Sequence, residues 1–110
     1  MQYEISQQGN STVLQVNEAR FDAKLAPEFR NQIESIKEDL SENLILDIES
    51  VRFMDSSGLG AVMGVYKLLK DKRILVANAQ QPVLDLFKLT RMDRLIKTYP
   101  SLDEALHVAV

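Results

Sequence analysis

The chain is expected to fold as an α/β sandwich, a mixed β-sheet of about four to five strands with about four helices and an N-terminal β-hairpin. Three observations predict this. Residues 43–48 and 73–77 are short, nearly continuous apolar runs, the kind buried on both faces between parallel neighbours. Elsewhere apolar residues recur at three- and four-residue steps, the period of a helix with one buried face. The two patterns alternate along the chain in the order β-β-α-β-α-β-α-β-α, which places helices against a partly parallel sheet.

Each element has its own signal. Residues 3–7 and 12–16 flank Gln8-Gly9-Asn10-Ser11, a turn composition, and Val13, Leu14 and Val16 stand among polar neighbours, so the pair reads as a hairpin. Arg20-Phe21-Asp22-Ala23 then leads to Pro27, a first-turn proline. Phe29, Ile33, Ile36 and Leu40 follow on one helical face, which ends near 39–42. After the apolar strand at 43–48 comes a helix-like run over 61–70, then the strand at 73–77. Gln81-Pro82 opens a third helix carrying Val83, Leu84, Leu86, Phe87 and Leu89, and residues 95–98 read as a short edge strand. Ser101-Leu102-Asp103-Glu104 is a capping box that starts a last helix through Ala105, Leu106 and Ala109.

Composition narrows the function. At 110 residues the chain is read as one domain, 1–110, with a single modest core. Thirteen basic residues against sixteen acidic ones give a net charge of −3, and no basic stripe with interleaved aromatics suggests nucleic acid as a partner. No cysteine is present, so disulfides, thiol catalysis and cysteine metal sites are excluded. The N-terminus lacks the basic-then-apolar pattern of a secretory leader, and no apolar run reaches the length of a membrane span. A soluble, cytoplasmic protein without membrane contact is the expectation. The sequon Asn10-Ser11-Thr12 is accordingly taken as chance.

The most informative stretch is Arg52-Phe53-Met54-Asp55-Ser56-Ser57-Gly58-Leu59-Gly60, where strand and loop hand over to a helix N-terminus. Such an end presents unpaired N–H groups and a positive dipole, and so accommodates an anion such as a phosphate. In the plainest reading, Asp and Ser only cap the helix, contributing about 1 kcal/mol. Two hydroxyls and a carboxylate exceed what a cap requires, however. Gly58, Gly60 and Gly64 also leave one side of the helix start bare, as if a neighbouring strand or a partner comes close to the backbone. On the helix itself Leu59, Val62, Met63, Tyr66 and Leu69 form a core stripe, while Ala61, Val65 and Leu68 lie away from it. A helix apolar nearly all round is either wholly buried or covered by a partner.

Residues 53–60 resemble the serine motif of bacterial anti-sigma factor antagonists, the single-domain STAS proteins. Phe21-Asp22 resembles the second half of that family's Gly-x-Leu/Ile-Asp element, and residues 82–95, with Leu89-Thr90-Arg91-Met92, resemble its third helix and following loop. Two departures fall on turns: Ala19 stands where Gly is expected, and Asp71-Lys72-Arg73 replaces a Gly-Gly pair. The resemblance implies a STAS-like sheet and a non-enzymatic regulator of transcription that acts by partner switching. It maps the phosphorylated serine to Ser56, makes Ser57 the neighbour that caps the helix, and sets Asp22 and Asp55 beside the hydroxyl, for turn formation and capping or to orient it. The implied partners are a serine protein kinase that doubles as the anti-sigma factor, bound by the unphosphorylated form, and a PP2C-type phosphatase. Asp22, Asp55, Ser57, Gly58, Leu59, Gly60, Ala61, Val65 and Leu68 make up the expected switch and partner-binding region. No cofactor or metal is expected, and a monomer or weak homodimer is equally compatible. The alternative is a STAS regulator with the same serine switch in a non-sigma pathway, such as biofilm polysaccharide production or secretion.

Other chemistries fit less well. The third glycine of a dinucleotide fingerprint is missing at Met63, and no Gly-x4-Gly-Lys-Ser/Thr occurs. Hydrolysis through Ser56 needs a base, but the single histidine, His107, falls on the last helix and reads as a surface residue. A phosphoacceptor receiver domain wants paired acids after its first strand and a loop aspartate after its third; Glu18 and Asp22 are not such a pair, and Asp47 lies inside an apolar strand.

Overall fold

Neighbouring side chains on a strand point to opposite faces of its sheet, and the central strands of this protein bury both. The computed structural model describes residues 1–109. Its main sheet has five strands in the order β1-β2-β4-β6-β7: β1 (Tyr3–Gln8), β2 (Ser11–Val16), β4 (Asn43–Asp47), β6 (Arg73–Ala77) and β7 (Lys97–Tyr99). β1 and β2 form the antiparallel hairpin, turning at Gly9 with φ +61°, and all other pairings are parallel. Parallel neighbours need crossovers, which α1 (Ala26–Ile36), α2 (Ser56–Leu68) and α3 (Gln81–Leu89) supply.

Leu14, Val16, Leu44, Leu46, Ile74 and Val76 face these three helices and meet Phe29, Ile33, Val62, Val65, Val83 and Phe87 in the main core. The alternate residues Val13, Ile45, Leu75 and Ala77 face the other way, where Ala105 and Ala109 of α4 (Leu102–Val108) and its C-terminal flank cover them in a smaller cluster. Small alanines let this short helix lie close to the sheet. Asn43, buried at the start of β4, donates its amide to the carbonyl of Ala109 at 2.9 Å and ties that helix end to the strand.

The structure departs from the sequence expectation in local ways. The edge strand lies at Lys97–Tyr99, one to two residues later than expected, because residues 92–94 form a 3₁₀ turn and Ile96 points into the core. Two strands were not expected, β3 (Arg20–Phe21) and β5 (Phe53–Met54), which pair in parallel as a separate two-stranded sheet. Two residues carry no periodicity to read. Finally, α2 begins at Ser56, so the serine motif forms its first turn rather than a loop before a helix at 61–70.

Candidate functional site

The start of α2 is held against β3 by contacts that only a glycine permits. Arg20 pairs with Phe53 and Phe21 with Met54, and the N–H groups of Arg52 and Phe53 both donate to the Ala19 carbonyl, at 2.8 and 3.2 Å. The Asp55 N–H reaches the Phe21 carbonyl at 3.4 Å. A Cβ on Gly58 would lie 2.2 Å from that same carbonyl oxygen, far inside contact distance. A neighbouring strand, one of the two expected possibilities, is therefore what approaches Gly58. Around Gly60, by contrast, a Cβ would meet nothing within 4 Å, and at Gly64 it would meet the Arg30 guanidinium at 3.3 Å. Ala19 is absent from the non-glycine residues with positive φ, which are Asn78 and Arg91, so its backbone works without the expected glycine.

Capping falls to Asp55, not to Ser57. Asp55 is extended (φ −108°, ψ −172°), and its Oδ1 accepts from the N–H groups of Ser57 at 2.9 Å and Gly58 at 3.1 Å. A carboxylate at this position satisfies two otherwise unpaired helix donors and interacts favourably with the dipole. Ser57 contributes its backbone to that cap. Both serine side chains stand in solvent on the first turn.

Asp22 serves the turn into α1. Its Oδ1 accepts from the N–H groups of Lys24 (3.1 Å) and Leu25 (3.4 Å), and its Oδ2 from Arg20 Nε at 3.4 Å. Partial desolvation pulls the Asp22 carboxyl upward, but the Leu25 and Lys24 N–H groups and the Arg20 charge outweigh it and hold the pKa below the usual value. Arg20 also stacks 4.3 Å above the Phe53 ring, so one guanidinium bridges the two short strands and the turn. Nothing in the sequence signalled this bridge, because the pairing that creates it joins residues far apart in the chain.

The expected second apolar face of α2 is mostly not a surface. Ala61 and Val65 are 2% and 1% exposed and Leu59 is 7% exposed, all within the main core, so Ala61 and Val65 do not lie away from the buried stripe. The reason is two-sided packing, with the sheet on one flank and α1 on the other. Met63 and Tyr66, expected in the core stripe, are only half-buried. Of the expected region, Ser56, Ser57, Gly60 and Leu68 are exposed, Leu68 at 41%, Asp22 and Asp55 are intermediate, and Gly58 is buried. A hollow of about 430 Å³ opens between the helices beside Ser57 and Gly60, walled by Ala23, Pro27 and Arg30.

The site therefore presents two exposed hydroxyls on a capped helix end. His107 lies on α4, across the sheet from α2, and is exposed, so it is not a base for either serine. Among the described residues no cluster of three His, Cys, Asp or Glu side chains could hold a metal ion, and no helix is long and apolar enough to cross a membrane. Chemically, the arrangement leaves two serine hydroxyls accessible from solvent.

Known proteins share this architecture. A relative described as an anti-sigma F factor antagonist, from Paenibacillus polymyxa, is 32% identical over 68 residues, spanning 60% of this chain and 58% of the relative's own length. An anti-sigma-B factor antagonist of Staphylococcus aureus is 27% identical over 77 residues, 68% of this chain and 71% of that one. The crystal structure of an anti-sigma factor antagonist from Mycobacterium paratuberculosis matches with a TM-score of 0.87 at 25% identity, covering 97% of this chain and 92% of that one. The family description STAS domain matches residues 2–105, from the hairpin into α4, and the chain belongs to that family.

Proposed function

We propose that this protein is an anti-sigma factor antagonist whose partner binding is switched off by phosphorylation of Ser56. It is a binding regulator rather than an enzyme, working in the cytoplasm. The observation that carries the reading is the exposed Ser56 hydroxyl on the first turn of α2, left free of capping duty by Asp55. The names of the relatives supply the class of partner, an anti-sigma factor. The finer assignments, a serine kinase activity in that partner and a PP2C-type phosphatase that reverses it, belong to the same proposal.

Phosphorylation adds about −1.5 to −2 charges near neutral pH. The helix dipole favours that charge by up to about 1 kcal/mol. Asp55 already holds the second- and third-position N–H groups, however, so phosphate and carboxylate compete for one end of the helix. These opposing effects leave fold stability within about 1 kcal/mol of its starting value. Binding responds far more. A partner seated over Ser56 would have to desolvate a dianion, and a penalty of about 4 kcal/mol weakens affinity about a thousandfold. The contacting surface is the exposed set, Ser56, Ser57, Gly60 and Leu68, with Asp22 and Asp55 at its margin. Gly58, Leu59, Ala61 and Val65 support it from beneath.

The test is mass spectrometry of the protein purified from its own cells, with and without phosphatase treatment, followed by capture of partners on the Ser56→Ala form. A phosphate at Ser56 and a captured kinase support the proposal, and a kinase without a linked sigma factor points to the non-sigma alternative. A phosphate at Ser57 would move the site by one residue. No phosphate under any growth condition would overturn the switch.

A further inference from the structure

The two edges of the main sheet differ. At one edge, β7 has three residues, opens on the exposed Lys97 and is followed by Pro100, a short and charged edge of the kind that resists pairing with another chain. At the other, β1 has six residues, Tyr3–Gln8, without proline or lysine, and all but Tyr3 are exposed. Among the described residues no strand pairs on its outer side.

The hairpin register decides which backbone groups stand free there. The Asn17 N–H donates to the Gln2 carbonyl at 2.9 Å, and Glu4–Gln15, Ser6–Val13 and Gln8–Ser11 are the next pairs at the same two-residue step. Residues 4, 6 and 8 therefore turn their N–H and C=O groups toward β2. Tyr3, Ile5 and Gln7 turn theirs outward, where no backbone group meets them. Ile5, in mid-strand, is also a large apolar side chain left 43% exposed.

We infer that this edge pairs with the same edge of a second copy, antiparallel and two-fold symmetric about Ile5. Only residues with outward groups can bond across such a junction, so odd positions must face odd positions. A register centred on Ile5 uses all three, setting Tyr3 against Gln7, Ile5 against Ile5 and Gln7 against Tyr3. At two bonds per pair it closes about six backbone hydrogen bonds. It also brings the two Ile5 side chains together, and it sets Glu4, the one charged residue of the strand, opposite Ser6 rather than another Glu4. This self-complementarity is what a two-fold contact requires, and it favours a copy of this chain over an unrelated strand. Five residues a side bury less than the roughly 1,200 Å² of a standard interface, so the dimer is weak, with a Kd of about 0.1 mM. The inference does not rest on phosphorylation of Ser56, since no residue of that region lies on β1.

Sedimentation velocity and amide hydrogen exchange of the full chain, each from about 10 µM to about 1 mM, test the pairing. Sedimentation should pass from monomer to dimer across that range. Exchange at Ile5 and Gln7 should slow about fourfold as the monomer fraction falls, while Glu4 and Ser6, already bonded to β2, stay protected throughout. Ile5→Lys opposes two like charges on the axis and should weaken association about tenfold. Leu89→Lys adds the same charge at the 82% exposed Leu89 of α3 and should leave association unchanged. The amide spectrum reports the fold of each variant, and the milder Ile5→Thr, also expected to weaken association, replaces Ile5→Lys should that one unfold. A monomer at the highest concentration would overturn the inference, as would a dimer whose Ile5 and Gln7 amides exchange as fast as in the monomer. Association lost in Leu89→Lys but kept in Ile5→Lys would move the contact to α3 and overturn it equally.

Discussion

Two helix starts in this protein use nearly the same residues for different ends. At α4, Ser101 is the cap: its hydroxyl accepts from the Glu104 N–H at 3.1 Å, the hydroxyl half of the expected capping box. At α2, Asp55 is the cap, and the two serines that follow it contribute no hydroxyl to that function. One helix has a serine because it needs an acceptor there. The other has two serines after the acceptor requirement is already met. Surplus hydroxyls on a fixed and exposed turn are what single out α2, and a serine near a helix start is not by itself a functional mark.

The largest effect that sharpens this contrast is on binding. Ser56→Asp should lose much of its affinity for the captured partner, approaching the thousandfold expected of phosphate, while Ser101→Asp leaves affinity within about threefold. Competition binding measures both, and equal losses would remove the distinction between the two helix starts. Next is Gly58→Ala, whose Cβ would collide with the Phe21 carbonyl. We expect a loss of about 3 kcal/mol, seen as a melting temperature lower by more than about 10 °C, whereas Gly60→Ala, in open space, should be neutral or slightly stabilising.

Cap removal comes third. Asp55→Ala and Ser101→Ala should each cost about 1 kcal/mol in denaturant unfolding. Smaller still, Ser57→Ala should change stability by less than about 0.5 kcal/mol, because its hydroxyl caps nothing. A loss at Ser57 as large as that at Ser101 would return α2 to an ordinary capped helix.

The smallest effect is one of pH, at Asp22. Its folded pKa is depressed, so its contribution to stability is present above the unfolded carboxylate value of about 3.9 and is lost as pH falls through the lower folded value. Wild type and Asp22→Asn should therefore differ most near neutrality and converge in acid. Urea titrations across pH 2.5 to 7 check the sign, at about half-unit steps.

Much of the framework was legible locally. The alternation of Leu14 and Val16 with Val13, and of Leu44 and Leu46 with Ile45, is written in consecutive residues and translates directly into two buried faces. Pro27, Pro82 and Ser101 mark helix starts for the same reason, since capping and fixed φ act within one turn. The exposed serines were legible too, but their cap was misread. Asp55 and Ser57 are both good acceptors, and which one receives the N–H bonds depends on where the backbone leaves the extended region, which composition does not specify.

Sequence by itself determined the order of the main-sheet strands and the four helices and the presence of hydroxyls at the start of α2, because these follow from residue chemistry at short range. Tertiary structure alone decided what lies opposite each face. A helical period says that Ala61 and Val65 share a side of α2, but not that α1 covers that side. Likewise Phe21 and Gly58 lie far apart in the chain, and only the pairing of β3 with β5 brings a carbonyl to the place where a side chain would otherwise stand. Such long-range contacts depend on how the whole chain closes its core, and no window of neighbouring residues encodes them.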